Sequence, residues 1–115
     1  MATMAECRSA LDKLSDNLAA ADGDVRSAAA LDRSLSCHLR DLDVTLTGRL
    51  QNGRIEVLDE HPGPPHEKAQ IRLAMTGDDL VAMVNGNLNF AKAWTSGRVK
   101  LEAGLRDLLH LRKLL

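Results

Sequence analysis

The chain has 115 residues, which is enough for one domain with one hydrophobic core. Its apolar fraction of 44%, charged fraction of 27% and net charge of −1 are those of an ordinary globular protein, and they give no electrostatic basis for binding nucleic acid or an anionic membrane. No apolar run approaches the roughly 20 residues of a membrane span. We therefore expect one domain over residues 1–115 that does not insert stably into a membrane.

The two cysteines give little sign of a metal or redox site. Cys7 and Cys37 are far apart in the sequence and belong to no CxxC or zinc spacing. Two reduced thiols are the favoured interpretation, and a disulfide between them is the minor alternative. The N-terminal residues also lack a signal-peptide core. We expect a cytoplasmic protein with no cofactor.

The first half of the chain predicts one helix followed by three strands. Within residues 1–24, apolar residues recur at steps of three and four, which is the period of a helix. From Ser34 the period changes to two, so residues 34–39 are predicted to be a strand. Asn52-Gly53 is a strong turn signal, and residues 42–58 are therefore predicted to form a β-hairpin. The helical stripe consists of Met4, Cys7, Leu11, Leu14 and Leu18.

All three prolines lie within residues 62–65, and we predict an exposed loop from Asp59 to Glu67. The loop also contains two histidines and three carboxylates, which are metal-ligand types. A proline-rich loop holds such ligands poorly, so a solvated loop is preferred to a metal site.

The segment after residue 70 predicts a fourth strand and a capped helix. Residues 71–75 alternate between apolar and other side chains, and Thr76-Gly77-Asp78-Asp79 has the spacing of a capping box. In that motif Thr76 is the N-cap and Asp79 closes back on it, an interpretation preferred to a catalytic aspartate pair. The helix is predicted to stop at Asn85-Gly86.

The last third contains the only two aromatic residues and a leucine-rich end. Phe90 and Trp94 are four residues apart, so a helix would place both rings on one face. Residues 99–103 alternate cleanly and predict a fifth strand. Residues 105–115 predict a helix whose leucines cover an arc of roughly 220°. Because a surface helix usually has an apolar stripe of about 100° or slightly more, the excess has to be covered by something.

The order of these segments resembles the sterol carrier protein-2 (sterol-binding domain) family, in a small stand-alone bacterial form. The resemblance covers residues 33–115 and is strongest from Ile71 onward, whereas the N-terminal helix in residues 1–24 contributes little. It is carried by Ile71-Arg72-Leu73, Thr76-Gly77-Asp78-Asp79-Leu80, Val84-Asn85-Gly86, Asn89-Phe90-Ala91-Lys92-Ala93-Trp94, Ser96-Gly97-Arg98 and Gly104.

The resemblance implies an α+β fold with a five-stranded, mostly antiparallel sheet and helices packed on one face. It also implies a non-catalytic protein that holds a fatty-acyl, phospholipid or sterol-like ligand in an apolar tunnel between sheet and helices. With two aromatic residues in all, flexible acyl chains are favoured over rigid sterol rings. Carried over by position, the tunnel would be lined by Leu80, Val81, Val84, Phe90, Trp94, Leu101, Ala103, Leu105, Leu108 and Leu109.

Two other classes of function compete with a lipid carrier. In one, the protein is a ligand-free interaction module that forms a homodimer through the C-terminal helix, where Leu111, Leu114 and Leu115 would be buried against a second copy. In the other it is an enzyme, but the sequence contains no G-x-S-x-G elbow, no P-loop and no dinucleotide fingerprint. His38 and His110 have no obvious catalytic partner in the sequence. We therefore expect a protein that is not an enzyme.

Overall fold

The structure, a computed structural model, describes residues 2–20, 32–51 and 54–111. In chain order these residues form α1 (Met4–Ala20), β1 (Arg33–Leu39), β2 (Val44–Gln51), β3 (Arg54–Pro62), β4 (Ile71–Met75), α2 (Gly77–Val84), α3 (Phe90–Thr95), β5 (Lys100–Ala103) and α4 (Leu105–Leu111). In these ranges, no helix is both long and apolar enough to cross a membrane.

The five strands form one sheet in the order β3-β2-β1-β4-β5. The β1–β4 pair is parallel, and the other three neighbouring pairs are antiparallel. Cys37 in β1 lies opposite Leu46 of β2 and Leu73 of β4. The predicted five-stranded, mostly antiparallel sheet is confirmed.

Side chains alternate across the sheet, and the odd-numbered residues of β1 and β4 face the helices. At the end of β1, Leu39 and Met75 are buried with Leu11 of α1, Leu80 of α2 and Ala93 of α3. At the start of β1, a second cluster contains Leu35, Leu50 and Ile71, with Ile55, Leu101 and Ala103 packed against it. The helices therefore lie on one face, as predicted.

The predicted hairpin is confirmed, but the predicted loop begins too early. Gln51 pairs with Arg54, and the turn between them lies outside the described residues. Residues 59–62 continue β3, and Pro62 pairs with Val44. The prediction of a loop from Asp59 was wrong because β3 is an edge strand, where a proline and exposed acidic residues are tolerated.

The predicted N-cap of α2, Thr76, is confirmed, but the predicted role of the Asp79 side chain in the capping box is wrong. Thr76 Oγ1 accepts a hydrogen bond from the backbone N–H of Asp79 at 3.2 Å, as an N-cap should. The Asp79 carboxylate does not close back on Thr76. It accepts hydrogen bonds from Arg98 Nε at 3.1 Å and Nη2 at 2.8 Å. A bidentate guanidinium is a stronger partner for a buried carboxylate than a single backbone N–H.

Candidate functional site

A cavity of about 290 Å³ lies between the inner face of the sheet and helices α1, α2 and α3. Fourteen of its seventeen wall residues have apolar side chains, so the interior offers almost nothing for a polar ligand group to bind. The wall consists of Leu11, Leu14, Leu35, Cys37, Leu46, Thr47, Gly48, Leu50, Ile55, Glu56, Val57, Ile71, Leu73, Met83, Val84, Phe90 and Leu101.

The cavity lies between the two hydrophobic clusters, which do not form one continuous core. Leu73 packs against both clusters and also lines the cavity between them. An engineered cavity of about 150 Å³ with similar aliphatic and aromatic walls stays dry and binds benzene. The cavity here has nearly twice that volume, so it has room for an aliphatic guest.

One wall depends on a glycine. The pairing of β2 with β3 shifts register between Thr47 and Gly48, and a Cβ atom on Gly48 would overlap the carbonyl oxygen of Glu56. The two backbones can approach this closely only because glycine has no side chain. Gly48 therefore maintains the irregular strand pairing beside the cavity.

Three of the predicted site residues lie in the cavity wall: Val84, Phe90 and Leu101. Leu80 is 1% exposed and belongs to the core, and Val81 packs against that core. Ala103 packs against the second cluster. None of these three lines the cavity.

Trp94 contacts the ring of Phe90, with ring centroids 6.1 Å apart and planes tilted by 39°. The shared helical face predicted for the two aromatics therefore brings them into contact, but Phe90 lines the cavity and Trp94 does not. The rotation of α3 against the sheet determines which of the two rings lies in the cavity wall.

The predicted residues of the last helix lie away from the cavity. Leu105 and Leu109 are exposed, Leu108 is half-buried, and none of the three lines the wall. Residues 112–115 of the predicted helix, which include Leu114 and Leu115, lie outside the described residues. Whether any of these leucines contacts a ligand stays a prediction.

Sequence reasoning missed the contribution of α1. Leu11 and Leu14 line the cavity, although neither was among the predicted site residues. Both residues belong to the apolar stripe of that helix, so the signal was present in the sequence. Their position over the cavity depends on the packing of α1 against α2 and β3, which the period of one helix does not predict.

The two cysteines are buried and free, and Cys37 lies in the cavity wall. Burial raises the pKa of the Cys37 thiol to about 12, with a smaller contribution from Cys7. Burial also raises the pKa of Cys7, and the carboxylates of Asp41, Glu6 and Asp78 raise it further. Both thiols are therefore poor nucleophiles in the folded protein.

We expect the folded Cys37 thiol to stay protonated at about pH 10, above the ordinary thiol pKa of 9.0. The unfolded chain then loses the Cys37 thiol proton while the folded chain keeps it, so stability falls as the pH rises from 9.0 towards about 12. Thiolate absorbance at 240 nm, measured with and without urea, checks this. Equal thiolate absorbance in the folded and unfolded chains at about pH 10 would contradict it.

Among the described residues, Ser36, His38 and Asp43 on the opposite face of the sheet do not form a hydrogen-bonded Ser-His-Asp arrangement. His38 Nε2 lies 3.3 Å from Asp43 Oδ1, a partner that the sequence did not reveal. Ser36 Oγ is buried without a hydrogen-bond partner among the described residues, so it is not bonded to His38. Within the same residues, no group of three or more potential ligands is placed to hold a metal ion.

The comparison with known proteins decides the family. The model of the SCP-2 sterol transfer family matches residues 11–115. The chain belongs to this family. As a member of the SCP-2 sterol transfer family it is a lipid-binding and lipid-transfer domain, and such domains are in general non-catalytic. The match begins at Leu11, inside α1, so the family pattern includes part of the helix that the resemblance had set aside.

Solved structures support the same fold. The sterol carrier protein domain 2 of Helicoverpa armigera superposes with a TM-score of 0.67 at 16% identity, covering 95% of this chain and 84% of that one. A palmitated sterol carrier protein 2-like 2 from Aedes aegypti gives a TM-score of 0.62 at 10% identity, covering 98% and 93%. None of the curated proteins matches the chain significantly.

An enzyme also contains a similar domain. The sec-alkylsulfatase Pisa1 from Pseudomonas sp. has 25% identity and a TM-score of 0.56, over 90% of this chain. The chain spans only 16% of the length of that sulfatase. The similarity therefore concerns one domain of the enzyme and does not transfer its activity.

Proposed function

We propose that this protein is a non-catalytic carrier that holds the aliphatic tail of a lipid in the cavity between sheet and helices. The observation that carries the proposal is a cavity of about 290 Å³ with an almost entirely apolar wall. Burial of apolar surface is the one strong interaction that such a wall provides. Membership of the SCP-2 sterol transfer family supports the same ligand class.

The size of the cavity favours an acyl chain over a fused-ring sterol. Ligand pockets commonly have volumes of about 300–1,000 Å³, so this one is at the small end. Scaled from the benzene-sized cavity, it accommodates about twelve carbon atoms. A flexible chain can enter in part and adapt to an irregular wall, which a rigid ring system cannot do. The neighbour from Aedes aegypti is described as palmitated, which supports the same choice for this chain.

The energetics suit a ligand that must be released. Burying about ten methylenes at about 0.8 kcal/mol each contributes roughly 8 kcal/mol before losses. Association costs about 4 kcal/mol or more in lost freedom, so only a few kcal/mol remain. The described wall contains no Lys, Arg or His side chain that could pair with a carboxylate, so burying that charge would be costly. A lipid head group should therefore stay outside the cavity while the tail enters.

The alternative of a ligand-free dimerisation module predicts a filled interior. The cavity argues against that alternative, because an unfilled apolar space loses packing contacts that evolution can recover with larger side chains. Mass spectrometry of the purified protein under native conditions separates the two. Co-purifying fatty acid or phospholipid supports the carrier, and a lipid-free dimer supports the module.

A cavity-filling variant tests the proposal directly. Val84→Phe places a larger side chain in the wall, and we expect it to weaken the affinity for dansyl-undecanoic acid by at least about tenfold, the equivalent of about two lost methylenes. Val81→Phe makes the same change three residues earlier in α2, outside the wall, and is the matched control. Probe fluorescence titrations give both affinities.

The result depends on both variants being folded, which circular dichroism and thermal melting establish. If folded Val84→Phe protein bound the probe as tightly as the original chain, the ligand would not occupy this cavity. Equal losses in the two folded variants would also count against it, because only one substitution fills the space.

A further inference from the structure

A second pocket, of about 570 Å³, adjoins the apolar cavity and has the opposite character, since six of its seven described wall residues are polar or charged. Ile55 and Glu56 line both spaces, so the pocket and the cavity meet at the start of β3. Helix α1 borders both spaces, because Leu11 and Leu14 line the cavity and their neighbours line the pocket. Those neighbours are Asp12, Ser15 and Asp16. An apolar space that adjoins a polar one suits a molecule with a tail and a head group.

A buried hydroxyl group in the pocket wall has a hydrogen-bond donor that the fold does not use. Ser15 is 4% exposed, and its Oγ accepts a hydrogen bond from the backbone N–H of Ile55 at 2.9 Å. The Ser15 hydroxyl is also a donor, and it donates to no atom among the described residues. Leaving a buried donor without an acceptor costs free energy. An oxygen atom of a bound molecule would complete the hydrogen bonding of this side chain.

The charges of the pocket are unfavourable to an anion. Its described wall contains three acidic residues and one arginine, which gives 1 − 3 = −2, and the balance is still −1 without Glu56, which also lines the cavity. Arg54 is already paired, since its Nη2 lies 2.8 Å from Asp16 Oδ1. The Asp12 carboxylate has no such partner among the described residues. A carboxylate or phosphate head group would therefore meet excess negative charge, whereas a hydroxyl group can donate to Asp12.

We propose that this pocket receives the head group of the lipid whose tail occupies the cavity, and that it selects an uncharged ester with free hydroxyl groups. This is the chemistry of a monoacylglycerol. Ser15 donates a hydrogen bond to an oxygen atom of the head group, and Asp12 accepts one from a hydroxyl group. A free fatty acid is the weaker ligand, because its head group is a carboxylate. The selection rests on the proposed function, since the tail in the cavity is what places the head group beside Ile55.

A cationic amine is the competing head group, because it could pair with Asp12. An ammonium group has three donors and no acceptor, so it leaves the Ser15 proton without a partner. An ion pair with an exposed carboxylate also contributes little in water. The buried hydroxyl therefore favours a head group that has both donors and acceptors.

The first test is displacement of dansyl-undecanoic acid from the full chain by three ligands with the same tail. They are 1-monododecanoylglycerol, dodecanoate and dodecylamine, each used below the concentration at which it forms micelles. At about pH 8, where the fatty acid is ionised and the amine is protonated, we expect the monoester to compete at least about tenfold more tightly than dodecanoate. We also expect it to compete more tightly than the amine.

Three variants show whether the pocket is responsible for this preference. Asp12→Lys should lower the ratio of monoester to dodecanoate affinity by at least about fivefold, because it brings a cation to the pocket. Glu67→Lys makes the same change of net charge on an exposed residue outside the pocket, and it should leave the ratio unchanged. Ser15→Ala should weaken the monoester about fivefold and leave the amine unchanged. Circular dichroism establishes that each variant is folded.

The outcomes distinguish this proposal from the proposed function. If dodecanoate competes as tightly as the monoester, and Val84→Phe weakens both, the carrier stands and the head-group selection is overturned. The selection is also overturned if Asp12→Lys and Glu67→Lys give the same ratio, or if dodecylamine is the tightest of the three ligands. A chain that binds neither the probe nor any of the ligands rejects the carrier and the selection together.

Discussion

Gly48→Ala is expected to destabilise the protein by about 2–3 kcal/mol or more, the upper range for forcing an atom into a packed site. The new Cβ would overlap the Glu56 carbonyl oxygen and lie 2.9 Å from the Glu56 carbonyl carbon and 3.1 Å from Val57 Cα. All three are backbone atoms, which cannot move aside by rotating a side chain. Relief requires β2 and β3 to separate at the register shift, where the cavity wall lies.

Urea denaturation followed by Trp94 fluorescence measures this loss. Gly104→Ala is the matched control, because a Cβ there meets no atom within 4 Å. We expect its effect to stay within about 0.5 kcal/mol. If the two variants had similar urea midpoints, the close approach of β2 and β3 at Gly48 would not make a side chain there destabilising.

Leu80→Ala is expected to cost about 2–5 kcal/mol of stability, the range for truncating a fully buried leucine. Leu80 is 1% exposed and packs in the cluster that joins α1, α2 and the sheet. Because it does not line the cavity, the affinity for dansyl-undecanoic acid, corrected to the folded fraction, should be unchanged. Urea titration and probe binding on the same preparation measure the two quantities.

Leu105→Ala is the matched control for this experiment. Leu105 was also predicted to contact the ligand, but it is 76% exposed, so its removal should change stability by no more than about 0.5 kcal/mol. A folded Leu80→Ala protein with weakened probe binding would show that Leu80 acts on the ligand. A small stability change at Leu80 would contradict its place in the core.

These two substitutions separate the protein's core from its cavity. The cluster around Leu80 holds the helices on the sheet, and the irregular pairing at Gly48 shapes the wall beneath them. A carrier needs both, since a fully packed interior would leave no space and a loose one would not remain folded. We expect ligand binding to respond mainly to wall residues such as Val84, and stability to respond mainly to core residues.

The sequence by itself determined much of the local structure in the described part of this chain. Alternation predicted β4, the Thr76 side chain predicted the start of α2, and Asn85-Gly86 predicted its end, where Gly86 has φ +79°. Each of these features depends on the period or hydrogen bonding of a few neighbouring residues. The resemblance over residues 33–115 also indicated the correct family, because the order of such local features identifies a fold.

Only the tertiary structure decided which side chains form the cavity. Val84 and Phe90 lie in the wall, whereas Leu80 and Trp94, on the same helices, do not. Leu11 enters the wall from a helix that is remote in the sequence. These outcomes depend on how each helix is rotated and placed against the sheet, and contacts between distant segments set that placement. No period within a single helix encodes those contacts, since an apolar stripe marks a buried face without showing what it is buried against.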